Sequence, residues 1–286
     1  MELRVKYTIY NTAINMSETD PPKPKTILKT IHNAGFFSCA TIRLLDIILY
    51  FNEHKQLPDE VESSEQFLYY KTSPGDNLIP YYYDATTEKN HPITVQAPVT
   101  IRMDCMAIQF DSYRNLDFEN INPFVQKYFT PSSVVTAMVK NMVEKYKLNF
   151  ENLCSVFFRG NDKQNEMKIP SYQAFIDKAH EIKNKNPNIK FVVQPDENEF
   201  LNEFLLHFPD SIYFEETPML KKSNTAMFFE LPIPLRAEYG MKFFAAVLIL
   251  SKCAHVITHS GNGALWLALY RNNVANLHQI FNDEWI

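Results

Sequence analysis

Residues 255–271 read HVITHSGNGALWLALYR, and the fold turns on how that stretch divides. HVITH (255–259) is a short apolar run that reads as a strand, while ALWLALYR (264–271) has the apolar density of a helix. Between them lie Ser260, Gly261, Asn262 and Gly263, and a chain with only six glycines places two of them here. A strand that turns directly into a helix leaves the first helical N–H groups aimed at the loop, where the helix dipole favours an anion. The same residues also suit a tight turn that only packs the helix, and both readings stand at this point.

The unit recurs upstream. LCSVFF (153–158), IKFVVQ (189–194) and SIYF (211–214) read as strands, with VANLHQI (274–280) as a last one. SYQAFIDKAHEIKNK (171–185), DENEFLNEFLLHF (196–208) and EYGMKFFAAVLILSKC (238–253) read as helices, the second opened by Asp196 as N-cap. This alternation predicts an α/β fold with right-handed crossovers, a parallel sheet, and ligands outside the carboxyl ends of its strands. RGNDK (159–163), QPDE (194–197) and HSGN (259–262) each follow a predicted strand and are expected at that end.

The first half is less regular. KTILKTIH (25–32) predicts a strand and NAGFFS (33–38) a loop. ATIRLLDIILYFN (40–52) predicts a helix with Ile42, Leu45, Ile48 and Leu49 on one face and Ser38 as cap. Residues 57–98 predict a long irregular region, and VTIRMDCMAIQF (99–110) a strand. PSSVVTAMVKNMVEKYKL (131–148) predicts a helix with Pro131 in its first turn, joining two domains of 1–148 and 149–286.

Of the 286 residues, 45% are apolar and 21% charged, which excludes a mainly disordered chain. A net charge of −5 supplies no global positive field for nucleic acid or an anionic membrane. Cys39, Cys105, Cys154 and Cys253 are too scattered for a zinc site, and Cys154 and Cys253 sit in apolar runs that predict buried thiols. The start, MELRVKYTIYNT, alternates like a strand and lacks the order of a signal peptide; FFAAVLIL (243–250) is far shorter than a membrane span. The expectation is a soluble, cytoplasmic protein with no transmembrane segment. The sequon at Asn15 is a triplet that arises by chance.

Arg159 after a buried strand suits a bidentate contact with phosphate, and Gly160 allows a close backbone approach beside Asn161 and Asp162. The plain alternative is a surface turn in which Arg159 and Asp162 pair with each other. Gln194, Asp196 and Glu197 suit a ribose or base edge, while Asp196 as a helix cap is the simpler reading. His259 suits a hydrogen-bonded structural role as well as a ligand contact. The chain has no G-x-G-x-x-G and no P-loop, which disfavours a dinucleotide dehydrogenase or a P-loop enzyme. It has no Asp-x-Asp to hold a divalent ion, and Ser260 is not in a G-x-S-x-G elbow, so a hydrolase built on Ser260 and His259 is the weakest class.

Taken together, SVFFRGNDK, FVVQPDE and KCAHVITHSGNGALWLALYR resemble the donor half of inverting GT-B glycosyltransferases, specifically the α1,6-fucosyltransferase and protein O-fucosyltransferase-like group. The resemblance covers about residues 150–280 and implies two Rossmann-like domains facing across a cleft. It implies a metal-independent transferase, with no cofactor beyond the nucleotide sugar and with an oligosaccharide or glycoprotein as acceptor. By this likeness Arg159 acts at the diphosphate, the loop of His259, Ser260, Gly261 and Asn262 completes the donor pocket, and His32, Asn33, Gly35 and Phe36 lie on the acceptor side. The group's pattern is similar to H-x-R-R-x-D; this chain keeps Arg159 and Asp162 but has Phe157 in place of the histidine and Gly160 in place of the second arginine. GDP-fucose is the donor implied, with a UDP-pentose such as UDP-xylose as the alternative. Asp76 in TSPGDNLIP is the expected catalytic base, ahead of His32 and Asp46. A non-catalytic nucleotide- or glycan-binding protein of the same fold is the second class.

Overall fold

In chain order, the computed structural model describes residues 8–9, 25–101 and 105–286. The first half contains β1 (Thr8–Ile9), β2 (Thr26–His32), α1 (Phe36–His54), β3 (Glu60–Gln66), α2 (Ile79–Tyr82), α3 (Ala85–Asn90), α4 (Cys105–Gln109), α5 (Phe118–Tyr128) and α6 (Ser133–Tyr146). The second contains β4 (Leu153–Phe158), α7 (Tyr172–Lys185), β5 (Lys190–Pro195), α8 (Asn198–His207), α9 (Met227–Glu230), α10 (Ile233–Leu250), β6 (His255–His259), α11 (Asn262–Arg271), β7 (Leu277–Phe281) and β8 (Glu284–Trp285).

The second half forms the expected sheet. Its order is β5-β4-β6-β7-β8, parallel throughout except for β8, which returns antiparallel to β7. All six residues of β4 are buried because helices cover both faces, as a continuous apolar run in a parallel sheet requires. Cys154, Val156 and Phe158 face the cluster built on α7 and α8; Leu153 and Phe157 face the larger cluster built on α10, α11 and the first half. That larger core runs without a break from Leu28 to Leu277, across both halves. Cys39, Cys154 and Cys253 are free and buried.

The first half contributes a smaller unit. β2 pairs parallel with β3 through the α1 crossover, and β1 adds antiparallel to β2. β3 lies inside the stretch read as irregular: its EVESSEQ is too polar to signal a strand, although Val61, Ser63 and Gln66 point inward.

Several local expectations change. α1 begins at Phe36 with Gly35 as N-cap, so NAGFFS is loop only through Gly35, and Ser38 lies inside the helix bonded to His32. Its buried face centres on Leu44, Leu45, Ile47 and Ile48, with Ile42 and Leu49 half-buried. VTIRMDCMAIQF is not a strand where it is described: its end forms the short helix α4, and 102–104 lie outside the described residues. Pro131 precedes the N-cap of α6, Ser132, whose hydroxyl accepts from the Val135 amide at 3.2 Å. SIYF makes only a bridge at Ile212. Asp196 does not cap α8; Glu197 occupies that position without a side-chain cap bond. Asn15 and nearly all of MELRVKYTIYNT fall outside the described residues.

Candidate functional site

From β4 the chain moves to β5 on one side of the sheet, then returns to β6 on the other. The loops after β4 and β6 therefore diverge at a switch point, the place where an open α/β sheet leaves a crevice. A cavity of about 210 Å³ lies there. Its walls are Arg159, Asp162 and Lys163 after β4, the run from His259 to Ala264 after β6, and His32 with the start of α1 from the first half. RGNDK and HSGN thus share one end of the sheet, as the alternation of strands and helices requires.

Arg159 is fixed by three partners. Its Nε donates to Asp196 Oδ2 at 2.8 Å, a terminal nitrogen donates to Asp162 Oδ1 at 3.0 Å, and its backbone N–H donates to His259 Nε2 at 2.9 Å. The guanidinium also lies over the Phe243 ring, 5.5 Å from its centroid. Burial works against its charge, but Asp196 and Asp162 outweigh burial and hold its pKa above the ordinary value. Arg159 is therefore a preorganised cation, with about a quarter of its side chain exposed (23%).

Asp196 does more than a cap would. Its second oxygen accepts the Gly160 N–H at 2.8 Å, and its carbonyl accepts from Asn161 Nδ2 at 2.8 Å. Asn161 in turn accepts the Ser223 N–H at 2.6 Å. Gly160 is required for a close approach: a Cβ there would lie 2.5 Å from Glu197 Oε2. Glu197 is fully buried, accepts a short hydrogen bond from Tyr172, and leaves Oε2 without a partner among the described residues. Burial raises its pKa. Gln194 accepts from Thr217 at 2.8 Å. Gly160, Asn161, Gln194, Asp196 and Glu197 thus form a scaffold behind Arg159 and do not wall this cavity.

His259 has both ring nitrogens engaged, Nε2 by the Arg159 amide and Nδ1–H by the Ser260 carbonyl at 2.8 Å. Burial lowers its pKa to about 4, so it is neutral at pH 7. The ring locks the two loops together. It does not reach the Ser260 hydroxyl, which accepts from Gln279 Nε2 at 3.0 Å, so no serine–histidine dyad forms.

Gly261 has φ 149°, a backbone that side chains rarely adopt. Its N–H donates to the Gln109 carbonyl at 2.9 Å, and the Asn262 N–H donates to Gln109 Oε1 at 3.1 Å. The Asn262 side chain bridges Gln109 Oε1 at 2.9 Å and Thr41 Oγ1 at 2.8 Å. The loop amides expected to face a ligand are thus partly used by the first half. Gly263 and Ala264 also wall the cavity, and Gly263 packs so closely on Phe157 that a Cβ would come within 2.8 Å of the ring.

Among the acceptor-side candidates, His32, Gly35 and Phe36 line the cavity. His32 Nε2 bonds Ser38 Oγ at 2.9 Å, and burial lowers its pKa. Asn33 is structural, joining the Glu65 carbonyl and the Leu68 amide, each at 2.9 Å. Asp76 is a turn residue that accepts from the Ser73 amide at 2.8 Å and Thr72 Oγ1 at 3.1 Å; these bonds lower its pKa, and it does not line the cavity. Asp76 thus stands apart from the cavity, its carboxylate engaged within its own turn. Asp46, raised to about 7 by burial, lies within α1 away from the cavity.

The patterns read from the sequence do not reach Gln109, Tyr113, Tyr239, Phe243 or Glu166. Tertiary packing brings Gln109, Tyr239 and Phe243 to the cavity, Glu166 lies three residues past Lys163 on the same loop, and Lys163 itself is legible as the last residue of RGNDK. Its ammonium donates to Gln109 Oε1 at 2.9 Å and Glu166 Oε2 at 2.6 Å. No group of three or more potential metal ligands occurs among the described residues.

No protein-family model and no curated protein sequence matches the chain. Solved structures do. The α1,6-fucosyltransferase NodZ co-crystallised with GDP superposes with a TM-score of 0.56 at 12% identity, covering 92% of this chain and 97% of that one. Fucosyltransferase NodZ from Bradyrhizobium gives 0.53 at 13% identity over 91% and 96%, and NodZ soaked with GDP-fucose gives 0.53 at 12% over 86% and 92%. The chain therefore has the fold of these fucosyltransferases along nearly its whole length, beyond the residues 150–280 that the sequence resemblance covers.

Proposed function

We propose that this chain is a glycosyltransferase that takes its sugar from a nucleotide diphosphate donor bound at the switch point. The observation that carries the reading is the placement of Arg159, rigidly held at the end of β4 beside the start of α11 in a cavity, within the fold of NodZ. The NodZ structures were obtained with GDP and with GDP-fucose, which makes GDP-fucose the first donor to test; UDP-xylose, the alternative donor, is the second.

As the sugar–phosphate bond breaks, negative charge grows on the diphosphate. Arg159, Lys163 and the first-turn amides of α11 are the groups that meet it. The guanidinium is balanced here by two carboxylates, so a phosphate oxygen binds it by taking the place of Asp162, the more exposed partner at 31% against 9% for Asp196. Asp196 stays as the anchor. On the acceptor side, His32 replaces Asp76 as the base. It lines the cavity, burial favours its neutral form, and in the tautomer whose Nε2–H donates to Ser38 its Nδ1 is left to accept the proton of a glycan hydroxyl. Attack from the face opposite the diphosphate inverts the sugar carbon. In this reading residues 149–286 bind the donor, 1–148 present the acceptor oligosaccharide or glycoprotein, and no metal takes part.

The test is sugar and nucleoside diphosphate release from a panel of GDP- and UDP-sugars, with and without EDTA. Turnover that survives chelation is expected. Nucleotide binding without any turnover points instead to a non-catalytic binding protein, and absence of binding to every member of the panel removes the proposal.

A further inference from the structure

Three donors converge on one oxygen at the start of α11. Lys163 Nζ at 2.9 Å, the Asn262 N–H at 3.1 Å and Asn262 Nδ2 at 2.9 Å all point at Gln109 Oε1. An ammonium and two N–H groups are the set that a phosphate oxygen takes, and a charged oxygen binds such donors more strongly than a neutral amide. Gln109 is 1% exposed, so its oxygen is seated in this position and not resting on a surface.

The segment carrying Gln109 also divides the space around it. On one side is the cavity of about 210 Å³; on the other is a second of about 260 Å³, walled by Phe110, Met167, Lys168, Ser260, Phe281 and Asp283. Ser260 borders both. Each alone is smaller than the ~300 Å³ at which ligand pockets begin, and the two joined exceed it. The partition is Gln109 and Phe110, with the Lys163 ammonium 5.2 Å from the Phe110 ring centroid. α4 has five residues, too few for a helix to hold itself, so the segment stays in place through tertiary contacts: Ile108 is anchored in the hydrophobic core, while Gln109 is held by hydrogen bonds that a ligand can replace.

We propose that Gln109 is a latch: its side-chain oxygen competes with a donor phosphate oxygen for Lys163 and Asn262, and release of Gln109 and Phe110, with Ile108 staying in the core, joins the two cavities into one groove for the nucleoside diphosphate. The proposal rests on the donor-site reading above and adds a residue that opposes binding. Tyr113 is the pivot, because its hydroxyl stays on the Gly261 carbonyl at 3.0 Å and its amide on Gln279 Oε1 at 2.9 Å, beyond the segment that moves.

The experiment is calorimetric titration of the full chain with GDP and UDP in wild type, Gln109→Ala and Gln109→Glu. Removing a competing state raises apparent affinity by the fraction of closed protein recovered, so Gln109→Ala is expected to bind roughly tenfold tighter. Gln109→Glu sets a carboxylate against Lys163, strengthens the latch, and is expected to bind roughly tenfold weaker. Hydrogen exchange at Gln109 and Phe110 should speed up when nucleotide saturates the wild type. A residue that merely supports the fold weakens binding in both variants; that result, unchanged affinity in Gln109→Ala, or slower exchange on saturation overturns the latch while leaving the donor site standing. Failure of wild type and Gln109→Ala alike to bind either nucleotide removes both proposals.

Discussion

The loops after β4 and β6 and the loops of the first half serve the same cavity by different means. In the second half, β4 and β6 are buried strands and the residue after each is polar, so Arg159 and Ser260 reach the cavity simply by following their strands. In the first half, Gln109 and His32 reach it because their segments dock there, through contacts far apart in sequence such as Gln109 with Asn262. Function built on strand ends is local and periodic; function built by docking is neither. The two regions also differ chemically, since the second half supplies cations and amides while the first supplies His32 and the apolar start of α1.

The largest effect expected from this comparison lies on the docked side. His32→Gln should lower transfer by roughly 10² to 10⁴ while nucleotide affinity stays at the wild-type value, because a base acts only in the chemical step. The base works as neutral imidazole, so the rate should be lost as pH falls through a pKa that burial sets below the ordinary 6.5. Wild-type turnover in His32→Gln would return the acceptor side to an unassigned state.

On the strand-end side, Arg159→Ala leaves Asp196 buried without its cation and Gly160 without its anchor's counter-charge. A loss of about 3 kcal/mol in urea unfolding is expected, and a loss below ~1 kcal/mol would show the pair to be no more than a surface bridge.

His259 offers a similar-sized effect that pH can read. Its folded pKa of about 4 lies below the ordinary 6.5, so the unfolded chain binds the proton first. The stability from neutral His259 is complete above pH 6.5 and is lost as pH falls from there to about 4, by about 3 kcal/mol in all. His278, also lowered to about 4 by burial, acts in the same window, so His259→Gln should flatten the pH dependence of stability without abolishing it. An unchanged profile would contradict the buried neutral ring.

The smallest effect is expected at Asp76. Asp76→Asn removes the charge of a turn residue outside the cavity, so turnover and nucleotide affinity should match wild type; a loss of turnover would restore it as the base.

These contrasts explain what the sequence made legible. The parallel strands β4 to β7 are legible because they are apolar runs whose loops break that pattern at once, while β8 carries no such run and SIYF, as apolar as they are, makes only a bridge. β3 was hidden by its glutamates, and α4 by apolar residues that resemble a strand over so few positions. At the site, Arg159, Asp162 and the HSGN loop were readable as polar residues after buried strands. The role of Asp196 was not, because an aspartate before a helix signals a cap, and only the distance to Arg159 and Gly160 shows a different use. The polar turn that singles out Asp76 carries no information about where that turn lies.

The central claim is that the β4 and β6 loops together form a nucleoside diphosphate site. Titration calorimetry of GDP and UDP into wild-type protein and Arg159→Ala, at a temperature where both are folded, tests it most directly. Wild type should bind one of the two, and Arg159→Ala should bind it about 100-fold more weakly, as loss of a charge-assisted contact with phosphate implies. Equal affinity in the two proteins would contradict the assignment of Arg159 to the diphosphate.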